Sequence, residues 1–338
     1  MKFSVSVLCA LFLLSSPAFA DARKRGMTVA TDISLTDIQA LGEYKTNIVR
    51  YPLTWLGRQA DNATVEAYNA WLSSKLDELD LLIPAFQAEG IKVIINMQTP
   101  PGGYESESGK PQVRMFSELA FQRAFITAWQ TIAARYKSNT AIYGYDVLNE
   151  PAQAFVGEGL KSWNQLAAEV AADIRAIDTT HIIYLEPRYG DPGRLSGFTK
   201  VNVPGVVYSI HMYYPISFQH QGIYGRTKKV SYPTKSLNKR HIAKFLKKVQ
   251  AFQKKVKGKI WVGEFSSVRW APKKSSYNYL KDVLDIFEKN KWDWSYHAFR
   301  EADAWSLEHG GNQADTTRSP TPTDRQKLIM KYFKRNSL

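Results

Sequence analysis

The segment IYGYDVLNEPAQAFVGEGLKSWNQLAAEVAADIRAIDTTHIIYLEP, residues 142–187, holds a short apolar run, an amphipathic run and a second apolar run. Strand patterns at 142–150 and 182–187 flank a helical pattern at 161–177. The same alternation continues in both directions. Further strand patterns cover 26–32, 47–53, 92–98, 206–213, 260–266 and 292–299, and helical patterns cover 35–44, 65–89, 115–137, 235–257 and 277–289, with a last one near 323–335. The connection at 191–201 contains Gly and Pro and has room for a short helix at most. Strands that alternate with helices, several of them apolar almost throughout, imply a parallel sheet covered by helices. Eight such units closed on themselves make a (β/α)8 TIM barrel of the α/β class, whose site lies at the C-terminal strand ends.

Within the second helix Tyr68, Trp71, Leu72, Leu79, Leu82, Ile83 and Phe86 form one apolar stripe, which Pro84 is expected to kink. Such stripes are core packing rather than cofactor boxes. No linker rich in Pro, Ser or Thr and no internal repeat divides the chain, so residues 21–338 read as a single domain. Ahead of it, Lys2, an apolar stretch at 5–14 and the small-residue site Ala18-Phe19-Ala20 read as a secretory signal peptide over 1–20. That stretch is too short to span a bilayer, and no later segment is apolar enough. The expected destination is therefore secreted or periplasmic. Cys9, the one cysteine, falls in this leader, which excludes thiolate metal sites and cysteine nucleophiles from the remainder.

The net charge of +14 suggests nucleic acid until it is located. Residues 226–259 hold thirteen Lys or Arg and no Asp or Glu, so this one stretch accounts for all but one of the surplus charges. A nucleic-acid partner is not expected. The stretch includes a helical pattern with Lys244, Lys247, Lys248, Lys254 and Lys255 between its apolar positions. It reads either as a solvated helix face or as a surface for an anionic envelope or polysaccharide.

Glu150 and Glu264 each end an apolar run, in YGYDVLNEP and IWVGEFSS. Two carboxylates held at one barrel rim can act as proton donor and nucleophile on either side of a glycosidic bond. The six histidines form no His-Glu-x-x-His motif, and no serine sits in a Gly-x-Ser-x-Gly elbow. Neither a metal nor an organic cofactor is expected.

NIVRYPLTW, VIINMQTPPGG, IYGYDVLNEP, YSIHMYYP and WVGEFSS fall in this order on the second, third, fourth, sixth and seventh strands. Together they resemble glycoside hydrolase family 5, the cellulase-type barrel glycosidases, over about residues 25–311. The resemblance implies Glu150 as general acid/base and Glu264 as nucleophile of a retaining double displacement. It implies that Asn149 binds the sugar 2-hydroxyl and that Arg50 holds Glu264 ionised. His211 and Tyr213, two apart and so on one strand face, are implied to lie beside the acid/base and the nucleophile respectively.

Two positions depart from the family pattern. Gln98 stands where a His is common, and His297 where a Trp is common near the end of the eighth strand. Gln98 still offers hydrogen bonds to a sugar hydroxyl. His297 lacks the broad stacking face, which leaves Trp294 or Trp305 to supply the floor under the reacting sugar. Trp55, Tyr104, Tyr189, Tyr214, Trp270 and Trp305 fall in expected top loops and suit a glycan groove. Glu186, Glu301, Asp303 and Glu308 read as further rim carboxylates with subsite or structural roles. The expected substrate is a β-linked polysaccharide or oligosaccharide, cellulose-like first and mannan or xyloglucan next. A transglycosylase would share every catalytic residue, and a glycan-binding barrel without turnover would keep the groove.

Overall fold

A computed structural model of the chain describes residues 23–336 apart from 58 and 108. The expected leader at 1–20 lies outside the described residues. The described residues form ten strands: β1 Arg25–Val29, β2 Ile48–Leu53, β3 Lys92–Met97, β4 Tyr104–Glu107, β5 Lys110–Val113, β6 Ile142–Asp146, β7 Ile182–Leu185, β8 Val206–Met212, β9 Lys259–Phe265 and β10 Asp293–Phe299. Eight of them close into a barrel in the order β1, β10, β9, β8, β7, β6, β3, β2, paired in parallel throughout. The antiparallel β4–β5 pair is a hairpin above the third strand that the alternation did not announce.

Helices cover the barrel: α1 Leu35–Glu43, α2 Val65–Ala88, α3 Leu119–Tyr136, α4 Trp163–Ile177, α5 Ile216–Gln219, α6 Lys239–Val256, α7 Ser275–Lys289 and α8 Asp324–Phe333. None of the described helices is long and apolar enough to cross a membrane. Their starts follow local chemistry. Ser34 with Asp37, and Thr323 with Gln326, form capping boxes that satisfy backbone donors at both exposed N-termini. The expected kink in α2 does not interrupt it: the helix runs through Pro84 to Ala88. Pro84 lies about one turn before the helix end, where its missing N–H removes a single rung of the ladder, and Tyr68, Leu72, Leu76, Leu79, Ile83 and Phe86 bury the stripe on both sides of it. The 191–201 link makes a 3-10 turn at Pro192–Gly197.

Two cores result. Ile48, Ile94, Ile182, Tyr184, Val207 and Trp261 pack together inside the barrel, whereas the opposite strand faces pack on the helix layer. Side chains alternate along a strand, so inner and outer positions normally keep their parity. On β9 that parity changes. Ile210 pairs with Val262 and His211 with Glu264, which leaves Gly263 as an extra residue on β9. Trp261 points inside and Val262 outside, yet Phe265 packs outside on Phe287 of α7 at 5.1 Å. Without the bulge Glu264 would share the outer face with Val262. With it, the carboxylate turns into the barrel mouth. A side chain at Gly263 would meet Ser209 Oγ of β8 at 2.6 Å, so any other residue there would have to displace that serine.

Candidate active site

Arg50 on β2 has no exposed surface, and four acceptors converge on its guanidinium. Its Nε donates to Asp146 at 2.7 Å, Nη1 to Glu264 at 2.5 Å, and Nη2 to Asn149 at 3.0 Å and Glu186 at 3.2 Å. The planar fork suits this role, because its donors point in fixed and divergent directions. Turning the Asn96 amide end for end lets its oxygen accept from Arg50 Nη2 at 2.9 Å and its nitrogen donate to Gln98 Oε1 at 2.9 Å. Gln98 is thereby tied to the same network.

Glu264 accepts a second hydrogen bond at its other oxygen, from the Tyr213 hydroxyl at 2.8 Å. Burial alone would raise its pKa. The charges of His211, His297 and Arg50 and the Tyr213 hydrogen bond outweigh that and hold the carboxyl well below its usual range. Asp146 answers differently to the same surroundings: burial dominates there, with Arg50 opposing and Glu186 adding, and its pKa is pushed up to about 7.

Glu150 lies four residues past the end of β6, in an extended segment tied by Val147 N to Tyr184 O and Asn149 N to Met97 O. Its own φ is +43°, a left-handed conformation that costs a non-glycine residue free energy. The backbone nitrogen held in that bend donates to Glu186 Oε2 at 2.9 Å. The Glu150 side chain is 42% exposed and that of Glu264 is 7% exposed, so one carboxyl faces the cleft and the other is enclosed.

His211 links the two. Its Nδ1 lies 2.9 Å from Glu150 Oε1 and 3.6 Å from Glu264 Oε2, and Nε2 lies 3.0 Å from Glu186. Burial lowers the imidazole's pKa, but Glu186 and Glu264 more than reverse this and raise it well above its usual value. Gly190, at φ +60°, makes room for the ring, since a Cβ there would meet His211 Cγ at 2.8 Å. One oxygen of Glu150, one of Glu264 and a His211 nitrogen all lie within 4.8 Å of one another. This is metal-ligand spacing, but the donors are already engaged: Glu264 by Arg50 and Tyr213, and Glu150 by His211. A buried guanidinium beside them also opposes a cation.

His297 on β10 closes the site, with Nδ1 3.6 Å from Glu264 and Nε2 3.0 Å from Glu301. Its ring meets Trp305 edge-on at 5.4 Å. Trp305, Gln98, Asn149, Tyr189 and Tyr214 line a cleft of about 710 Å³ together with both glutamates, His211, Tyr213 and His297. The structure thus gathers Glu150, Glu264, Asn149, Gln98, His211, Tyr213, His297 and Trp305 around one cleft, with Arg50 behind it.

Trp294 and Trp55 do not join them. Trp294 stands three positions before His297 and therefore on the opposite strand face; it is fully buried against Phe333, its ring nitrogen donating to Glu288 at 3.0 Å. It cannot serve as a floor for the sugar. Trp55 stacks on Trp71 of α2 at 5.1 Å and 8°, because the loop after β2 folds outward over that helix. Among the other loop aromatics, Tyr104 donates to Gln98 O at 3.2 Å from behind, and Trp270 donates to Gln221 O at 2.8 Å. Asp303 and Glu308 pair with Arg269 and Arg300 as structural groups.

Asp146 and Asn96 escaped the sequence reading, and Glu186 was read as a rim group although it lies fully buried behind His211. The available signal was a polar residue inside an apolar strand: Asn96 in VIINM and Asp146 in IYGYD. Such a residue pays a desolvation cost unless a partner waits inside the barrel.

A family model described as cellulase, glycosyl hydrolase family 5, matches residues 25–303. Endoglucanase C of Acetivibrio thermocellus is 25% identical over 291 residues, covering 77% of this chain and 81% of that protein. Among solved structures, Cel5A of Thermotoga maritima in complex with cellobiose superposes with a TM-score of 0.72 at 21% identity, covering 91% of this chain and 97% of that one. The cellulose synthase subunit Z of Clostridioides difficile superposes with a TM-score of 0.68 at 19% identity, covering 91% and 99%.

Proposed function

The chain belongs to glycosyl hydrolase family 5, the cellulase family, and from that premise we propose that it cleaves a β-1,4-linked glucan at internal bonds with retention of configuration. The observation that carries the stereochemistry is the closeness of the carboxylates: oxygens of Glu150 and Glu264 lie within 4.8 Å. Retaining enzymes hold their carboxyl groups about 5–5.5 Å apart, whereas inverting enzymes leave room for a water at roughly 6.5–9.5 Å.

In the first step Glu264, kept ionised by Arg50 and Tyr213, attacks the anomeric carbon while Glu150 gives its proton to the departing glycosidic oxygen. A covalent glycosyl-enzyme forms and the leaving chain is released as an alcohol. In the second step Glu150, now a carboxylate, takes a proton from water as it attacks the same carbon, and Glu264 leaves. His211 orients Glu150 for both transfers. Asn149, fixed by Arg50, offers its amide N–H to the 2-hydroxyl, a bond that strengthens as charge develops. Trp305 supplies the apolar wall that Trp294 cannot.

The test is product analysis by NMR on cello-oligosaccharides, with β-mannan and xyloglucan oligosaccharides beside them. β-Anomers appearing first, and no products from Glu264→Ala, are expected. α-Anomers appearing first would refute retention. Export over residues 1–20 is tested by the mature N-terminus of the expressed protein, expected at Asp21.

A further inference from the structure

The cleft does not end at the catalytic groups. It continues to Phe245 on α6, the helix that carries the basic stretch. Tyr214 stacks on Phe245 at 3.9 Å and 4°, and Lys248 Nζ sits 4.3 Å from the centre of the Phe245 ring. The two rings thus form a shelf at the cleft's far wall with an ammonium directly on it. Lys244 is four residues before Lys248 and so lies on the same helix face. On the other side of this arm Tyr224, 73% exposed, lines the cleft, and its near neighbour Arg226 reaches the site electrostatically. His220, another cleft residue, feels that charge: its pKa is pushed down to about 4, by burial first and by Arg226 next.

These cations are not consumed internally. Among the described residues the ion pairs of the basic stretch go through Lys239, to Asp282 and Asp285; Arg226, Lys244 and Lys248 have no carboxylate partner. Among the described residues the cleft lining itself holds no Lys or Arg, so the positive charge stands outside it, next to the Phe245 end of the shelf, where it is complementary to negative substituents on a glycan chain that leaves the cleft there. We infer that the Tyr214–Phe245 shelf with Arg226, Lys244 and Lys248 is a distal subsite for carboxylate-bearing sugars, so that the favoured substrate is an anionic β-linked glucan. The inference rests on the glycosidase reading and specifies its substrate class.

Binding and turnover test the two readings separately. The binding probes are a carboxymethylated and an uncharged β-1,4-glucan oligosaccharide of equal length, titrated calorimetrically into Glu264→Ala at low ionic strength. The carboxylated probe is expected to bind about tenfold more tightly, an advantage of about 1.4 kcal/mol. Raising the salt should shrink it. Adding Lys244→Glu and Lys248→Glu should bring the ratio of affinities close to one. A control pair, Lys254→Glu with Lys255→Glu, changes the charge equally but starts nine residues beyond Phe245, about 14 Å along the helix; it should leave the preference in place.

Equal binding of the two probes overturns the inference. So does loss of the preference in the control pair, which would make net charge the cause, or equally tight binding of duplex DNA of matched charge, which would make the rim a general polyanion site. Failure of the wild-type protein to turn over either oligosaccharide would instead remove the glycosidase reading, a result independent of the binding ratio.

Discussion

Replacing Arg50 with Met removes one positive charge from among three carboxylates and leaves their shape nearly unchanged. Asp146, Glu186 and Glu264 all lie within 3.2 Å of the guanidinium, with side-chain exposures of 0, 0 and 7%. Four charge-assisted bonds at about 1.5–3 kcal/mol each would amount to roughly 6–12 kcal/mol if additive. That rivals the whole stability of a domain, about 5–15 kcal/mol, and bonds that converge on one group do not add. The better guide is the cost of stranding a buried charge, about 3–5 kcal/mol. The pH dependence separates this cause from a packing defect. Asp146 already has its pKa pushed up to about 7 in the fold, and without Arg50 it rises further. A carboxyl with a raised folded pKa binds more protons folded than unfolded, so the stability it contributes falls as pH climbs from its unfolded to its folded pKa. The variant's deficit against wild type should therefore be largest near about pH 8 and shrink toward about pH 5. Urea unfolding at the two pH values measures it. An equal deficit at both would refute the electrostatic account and leave a cavity as the cause. Loss of one charge-assisted bond to Glu264 should also lower kcat/KM by roughly 10- to 150-fold.

Glu150→Gln should lower kcat by about 10²–10⁴ on oligosaccharides but far less on aryl glycosides with acidic phenol leaving groups, which depart without a proton; equal losses on both substrate types would place Glu150 outside acid catalysis. Tyr213→Phe removes a donor that helps keep Glu264's pKa low, so the acidic limb of the kcat/KM profile should move to higher pH. An unmoved limb would mean that His211, His297 and Arg50 suffice. Gly190→Ala combines a φ of +60° with a Cβ 2.8 Å from His211 Cγ, so thermal unfolding should show a loss of about 1–3 kcal/mol. A variant as stable as wild type would show that the turn can relax away from the ring.

The eight-strand alternation was legible because each barrel strand is a short apolar run that differs sharply from the amphipathic helices between them. The limits of those runs were legible only approximately. The run through 150 reads as one strand, yet β6 ends at Asp146, and beyond it only single bonds remain to its neighbours, from Val147 N to Tyr184 O of β7 and from Asn149 N to Met97 O of β3. Pairwise contacts followed from the motifs: His211 at Glu150, Tyr213 at Glu264, Arg50 at Glu264. Facing was harder. Trp294 and His297 are three apart, so strand alternation puts them on opposite faces, and Trp294 fills the space against Phe333 on the side away from the sugar. Asp146 and Glu186 were illegible as network members because their importance depends on a third residue, Arg50, brought to them from 96 and 136 positions away.

The extra glycine in β9 makes the strand a counting device. Take Gly263 out and Glu264 follows Val262 directly, so plain alternation still carries the nucleophile inward and Phe265 toward the helix layer, with the pairing to Ile210 and His211 kept. Straightening the strand with Gly263 kept would do the opposite, turning Glu264 toward the helix layer and Phe265 toward the sugar. The facing of the nucleophile therefore survives loss of the glycine but not its absorption into a regular ladder, and a relative that lacks this residue presents its glutamate to the same mouth.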